Sequence, residues 1–266
     1  MKTRIISAIL ITALFIPFLY LGGIPFRVFF TVLGLFALYE MIHIKDKKNK
    51  LPLSMKLISY LLVIVLCLNN TMLFSSNYII SYQMIAAVMF IFMLPVIFFN
   101  DNDRYSVMDA LYLVGAVMFI GLSFNMIILI RNHDINYLLY LLLISIITDT
   151  FALFTGALIG KHKLCPSISP KKTIEGSLGG ALMGTFVGVA FYITVINSSI
   201  NIIYIVLVTL LLSIIGQCGD LVFSNIKRYF DQKDFGNLIP GHGGVLDRLD
   251  SFLFVVIAYV LLIDLI

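Results

Sequence analysis

Long apolar stretches separated by short polar breaks set the pattern of this chain from one end to the other. Nine can be marked: Ile5 to Leu21, Val28 to Ile44, Leu57 to Phe74, Ile79 to Phe99, Ala110 to Ile130, Tyr137 to Ile159, Leu178 to Ile196, Ile202 to Val222 and Phe252 to Ile266. A bilayer core is crossed by about 20 mostly apolar residues in helical form, because a helix satisfies its own backbone groups where no water can. The pattern therefore predicts an all-α polytopic membrane protein of about nine transmembrane helices. The first stretch follows MKTR, as a secretory signal would, but Pro17, Phe18 and Tyr20 stand where a small-residue cleavage site belongs. It is read as a first span.

Composition narrows the class further. Hydrophobic residues make up 61 % of the chain and charged residues 12 %, with a mean hydropathy of +1.05, far from a soluble domain. Lys and Arg of short loops concentrate on the cytoplasmic side of a membrane. With a cytoplasmic N-terminus, all of the 18 Lys and Arg except Arg27 and Arg131 fall inside. The net charge of +4 then reflects topology, and nucleic-acid binding is not implied. The run KDKKNK, Lys45 to Lys50, reads as a solvated anchor loop. Cys67, Cys165 and Cys218 are scattered without metal-ligand spacing and suggest no disulfide framework.

No soluble domain can be separated, so residues 1–266 form one membrane domain. Charge nevertheless divides it into helices that act as a scaffold, residues 1–136, and a catalytic half, residues 137–266. In that second half Gly176, Gly180, Gly184 and Gly188 recur every four residues and fall on one helix face, a seam along which two helices can approach closely. Asp149 and Asp220 lie at or near the ends of apolar spans, where a carboxylate is costly unless it meets water, a cation or a metal. Asp149 could equally cap a helix or pair with a basic residue of the next loop. If the eighth helix continues inward, Asp220, Ser224, Lys227 and Arg228 stand at i, i+4, i+7 and i+8 and share one face.

Eight charged residues crowd the segment Ser224 to Asp250, SNIKRYFDQKDFGNLIPGHGGVLDRLD. Asp247 and Asp250, three apart at the start of the last span, would project together from a helix. Such a pair suits a divalent cation, and Asp220 would complete an acidic site; a charge network of Asp247, Arg248 and Asp250 is the competing reading. Mg²⁺ prefers carboxylates together with water and substrate phosphates. The PGHGG run gives a tight turn around His242, with Gly243 able to come close to a ligand. Upstream, Ser169 and Pro170 read as an N-cap and first helical turn, which would place Lys171 and Lys172 at a phosphate-attracting helix start.

Those residues together resemble the phosphatidate cytidylyltransferases, also called CDP-diacylglycerol synthases. Ser224, Lys227, Arg228, Lys233, Asp234, Gly236, His242, Gly243, Gly244, Asp247, Arg248 and Asp250 fill that family's pattern in order. Thr148 to Thr150, GKHKL at Gly160 to Leu164 and SPKKTIEG at Ser169 to Gly176 extend the likeness over roughly the last 130 residues; the first half matches in hydropathy alone. Two positions depart: Phe223 stands where an acidic residue commonly precedes the motif serine, and Ala157 where a basic residue often follows the glycine.

The resemblance implies transfer of the cytidylyl group of CTP to phosphatidic acid, giving CDP-diacylglycerol and pyrophosphate. It implies Mg²⁺ on Asp220, Asp247 and Asp250, leaves a further monovalent cation open, and is compatible with a homodimer. It places Asp220, Lys227, Asp247 and Asp250 in catalysis. Ser169, Lys171, Lys172, Ser224, Arg228, His242, Gly243 and Arg248 become phosphate-binding residues in a polar cavity facing the cytoplasm from a bacterial inner membrane. Attack by one phosphate on another brings polyanions together, so positioning and charge neutralisation carry such chemistry. A CTP-dependent kinase of polyprenol-type lipids and an ion-coupled transporter are the alternatives.

Overall fold

The computed structural model describes residues 2–68, 82–99, 105–241 and 243–263, with the backbone alone for residues 2–6, 8, 9 and 11. Ten helices follow in order: α1 Lys2–Leu21, α2 Gly23–Lys48, α3 Leu53–Leu68, α4 Tyr82–Met93, α5 Pro95–Phe99, α6 Val107–His133, α7 Ile135–Ile159, α8 Ile174–Phe191, α9 Ile202–Tyr229 and α10 Leu246–Leu262. A π-helical turn, Tyr192–Ile196, extends α8. Apart from a turn at Leu94, the described parts of the nine apolar stretches are helical, and six helical segments are long and apolar enough to cross a membrane. Among the described residues the two strands form a small antiparallel hairpin, β1 Lys163–Cys165 and β2 Ser169–Thr173, with Lys163 opposite Thr173.

The chain forms two compact units. The first holds Met1–His133 and Asp234–Asp247; the second holds Asp134–Lys233 and Arg248–Ile266. In the first, α6 buries Leu113, Val117, Ile120, Phe124 and Ile127 among α2, α3 and α4, where Phe26, Phe30 and Phe124 bring their rings together. Arg131 closes the end of α1, donating from Nε to Leu19 O (2.9 Å) and from Nη2 to Tyr20 O (2.8 Å), carbonyls that a helix end leaves without partners.

The KDKKNK run is exposed from Lys47 to Lys50, as expected, but most of it is helical and not a loop. Helix α2 continues through Lys48, and Lys45 Nζ lies 2.6 Å from Asp109 Oδ1, a carboxylate that is 1 % exposed. Asp109 also accepts from Ser106 N and Oγ while Ser106 Oγ accepts from Asp109 N, a reciprocal cap at the start of α6. Asp46 pairs with Lys56. A local run of like charge predicts solvation only until distant carboxylates are available to it.

In the second unit the glycine face of α8 does pack as a seam, against α7. A Cβ at Gly176 would lie 2.5 Å from Ala152 O, at Gly180 2.6 Å from Thr148 O, and at Gly188 2.9 Å from Ile144 Cγ1. Ascending α8 thus meets descending α7, as adjacent antiparallel helices must. Helix α7 is also tied to α9 by Tyr140 Oη with Thr209 Oγ1 and by Thr148 Oγ1 with Ser213 Oγ, both 2.7 Å. The outer faces of α7 and α8 expose Leu153, Phe154, Leu158, Leu178, Leu182 and Phe186, as surfaces solvated by lipid do.

The helix start expected at Ser169 and Pro170 is a β-strand instead. Helix α8 begins at Ile174, and its cap is Thr173, whose Oγ1 accepts from Gly176 N at 3.1 Å. Ser169 pairs in register with Cys165, so its backbone is committed to the hairpin. Gly156 and Gly160 leave room for the buried Thr173 side chain: a Cβ at either would come within 2.8 Å of it. Thr173→Ala should therefore cost about 1 kcal/mol through the lost cap, measured as a lower thermal midpoint of the detergent-purified protein.

Candidate active site

Helix α9 runs unbroken to Tyr229, so Asp220, Ser224 and Lys227 do occupy one helical series. Ser224 Oγ donates to Asp220 Oδ1 at 3.2 Å. The other oxygen, Oδ2, lies 2.5 Å from Lys172 Nζ, which reaches it from β2. Both partners are 26 % exposed, so the pair is accessible to a ligand. Lys172 thus joins the site from a strand, with the hairpin rather than a helix start presenting it.

Two further carboxylates of the same unit lie within electrostatic reach. Asp250 of α10 interacts with Asp220, Asp149 and Lys227, and its Oδ1 accepts from Ser251 N at 2.8 Å. Lys227 is buried, at 7 % exposure, a location an ammonium tolerates only beside compensating negative charge. Asp149 interacts with Asp220 and Lys172. It stands well inside α7, ten residues or roughly 15 Å before the end of that helix, and not at the end of a span. Ser251 Oγ, beside Asp149, is buried without a hydrogen-bond partner of standard geometry.

The remaining expected residues have other surroundings. Arg228 Nη1 donates to Gln232 O at 3.0 Å and so closes the end of its own helix. Lys171 is exposed on β2, and Arg248 is exposed on α10. Phe223, where an acidic residue was the family's habit, is buried against Phe254. His242 lies outside the described residues.

The glycine turn belongs to the first unit. Gly241 and Gly243 adopt φ of 77° and 83°, a region that favours glycine, and Ile239 N donates to Gly243 O at 2.9 Å. Asp247 Oδ2 accepts from Phe235 N (2.8 Å) and from Gly244 N (2.9 Å). Through this one oxygen the carboxylate, expected as a metal ligand, also ties the two ends of the turn together. Next to it, Glu40 of α2 accepts from Val245 N and Leu246 N. Glu40 and Asp109 were absent from the expected site and charge pairs, although a lone carboxylate in or beside an apolar span is itself a signal of engagement.

The donor set can be tested against Mg²⁺. Among the described residues no group of three or more His, Cys, Asp or Glu side chains is arranged to hold a metal ion. The second unit does bring Asp220, Asp250 and Asp149 near one another against two lysines. Carboxylate oxygens are the hard ligand type that Mg²⁺ takes alongside waters and substrate phosphates.

Within the second unit of this helical membrane protein, lysines, a serine and carboxylates from β2, α9 and α10 stand together. The chain belongs to the cytidylyltransferase family, whose model matches residues 2–266. It is 38 % identical over 255 residues to the phosphatidate cytidylyltransferase of Staphylococcus haemolyticus, covering 96 % of each chain. It is also 38 % identical over 256 residues to that of Staphylococcus epidermidis and 37 % identical over 256 residues to that of Staphylococcus aureus, each again at 96 % coverage of both chains.

Proposed function

We propose that this chain transfers the cytidylyl group of CTP to phosphatidic acid, forming CDP-diacylglycerol and pyrophosphate. The observation that carries the reading is the Lys172–Asp220–Ser224 cluster, assembled from two separated motif segments in a member of the cytidylyltransferase family. A phosphate oxygen of phosphatidic acid attacks the α-phosphorus of CTP; the new P–O bond forms as the α–β anhydride bond breaks and pyrophosphate leaves. The acyl chains stay in lipid while the headgroup meets the charged end of α9.

Lys172 and Lys227 neutralise phosphate oxygens, and Ser224 donates to a phosphate once Asp220 turns to other partners. Lys171, Arg228 and Arg248 add positive charge for the approach of CTP. Such fixed charges contribute most where negative charge builds up in the transition state. Asp220 and Asp250 would hold Mg²⁺, which supplies charge neutralisation of the triphosphate and the departing pyrophosphate. Asp247 contributes through the turn that it orders. The chain crosses the inner membrane nine times with its N-terminus in the cytoplasm, the arrangement supported by the asymmetry of Lys and Arg. Residues 1–136 act as scaffold and residues 137–266 carry most of the reacting groups.

The test is incubation of the purified protein with Mg²⁺, phosphatidic acid and CTP labelled in the cytosine ring. Label should enter the lipid phase together with released pyrophosphate, and chelation of the divalent cation should stop it. A phosphorylated lipid alcohol without cytidine would establish the kinase instead. Cation flux in proteoliposomes with no CTP turnover would establish a transporter.

A further inference from the structure

Helix α10 follows a residue that cannot cap it through its side chain. Its first residue is Leu246, and the preceding Val245 has no side-chain oxygen to accept from the first amides of the helix, groups that otherwise lack partners. Glu40 supplies the acceptor from 205 residues away in sequence. Its Oε1 accepts from Val245 N at 2.8 Å and its Oε2 from Leu246 N at 2.9 Å. Glu40 is 1 % exposed. A carboxylate inside an apolar span is expensive, and here two consecutive amides compensate it.

The backbone around it is shaped for this contact. A Cβ at Gly236 would lie 3.0 Å from Glu40 Oε1, and one at Gly244 2.5 Å from Glu40 Oε2. Gly244 N is meanwhile held by Asp247 Oδ2, which also holds Phe235 N. Three successive amides, at Gly244, Val245 and Leu246, are therefore fixed by two carboxylates. Only Glu40 comes from outside the segment that they fix.

We propose that Glu40 is a positioning residue, which sets the glycine turn and the first turn of α10, and with them the Asp247 side chain, through the backbone and without touching substrate. Glutamine cannot replace it: one oxygen of the amide would accept, and its NH₂ would face the second backbone donor. Aspartate keeps both acceptors on a stem one methylene shorter. The kinetic part of this proposal rests on the cytidylyl-transfer reading; the structural part does not.

The experiment compares full-length wild type, Glu40→Gln and Glu40→Asp in detergent, by hydrogen exchange and by steady-state kinetics. In Glu40→Gln, exchange across residues 236–249 should rise at least about tenfold while α6 and α9 keep wild-type protection. Its kcat should fall by about 10–100-fold, as a misplaced supporting group costs, with the KM for phosphatidic acid unchanged and part of kcat restored in Glu40→Asp. Wild-type exchange in Glu40→Gln, wild-type kcat despite raised exchange, or a uniform rise in exchange with a lowered thermal midpoint would each overturn the proposal. Should the wild type show no cytidylyl transfer, the reaction assignment fails, and the exchange data still decide whether Glu40 holds the turn.

Discussion

Asp220→Asn is expected to lower cytidylyl transfer by about two to three orders of magnitude, the loss typical when one preorganised electrostatic group is removed from a reaction centre. The substitution preserves shape and removes charge. Lys172 Nζ, 2.5 Å from Asp220 Oδ2, would lose its counter-ion, and Ser224 would keep an acceptor in the amide oxygen. Asp250 and Asp149, both within electrostatic reach of Asp220, would lose a like-charged neighbour, a gain that offsets the broken pair. Thermal unfolding should therefore change little while turnover collapses. The measurement is lipid-borne label from cytosine-labelled CTP over a range of Mg²⁺ concentrations, with unfolding followed in parallel. Full turnover at every Mg²⁺ concentration would remove Asp220 from the site, and a proportional loss of folded protein would reduce it to a structural partner of Lys172.

Gly180→Leu should unfold the second unit or drive α7 and α8 apart. Even a Cβ at Gly180 would lie 2.6 Å from Thr148 O and 2.8 Å from Ala152 Cβ, and a backbone carbonyl inside a helix has no rotamer with which to yield. Gly180→Ala is the milder case, with about 1–3 kcal/mol of overpacking; leucine adds three more carbon atoms to the same place. In a membrane the helices have no hydrophobic drive to close a gap, since lipid tails are as apolar as leucine, and close backbone packing carries the association. The displacement would reach the chemistry, because α7 carries Asp149 and the hairpin that presents Lys172 joins α7 to α8. Both the fraction of protein remaining monodisperse on heating and the rate of cytidylyl transfer should fall. A variant with an unchanged thermal midpoint would show that α7 and α8 are held elsewhere.

Sequence periodicity was enough to place the helices and to align Asp220, Ser224 and Lys227 along one of them. An apolar run of about 20 residues needs no distant partner to be helical in lipid, and Asp220, Ser224 and Lys227 align wherever α9 is continuous. The glycine spacing on α8 was legible for the same reason. The hairpin was not: Ser169 followed by Pro170 carries the local signal of a helix start, and pairing with β1 overrode it. Nor was the position of Lys45, which a run of lysines presents as solvated until Asp109 appears beside it.

Glu40 marks the boundary between the two kinds of information. Its presence as a lone carboxylate between Val28 and Ile44 is visible in the sequence and announces a partner. That the partners are Val245 N and Leu246 N is not, because backbone amides are the same at every residue and leave no trace in composition or spacing. The same holds for Lys172, whose pairing with Asp220 depends on how β2 directs it. The sequence by itself determined the class of protein, the helices and the chemical inventory, all of which follow from local period and residue type. Tertiary structure alone decided which carboxylates face lysines and which hold backbone amides, since those choices depend on contacts between segments far apart in the chain.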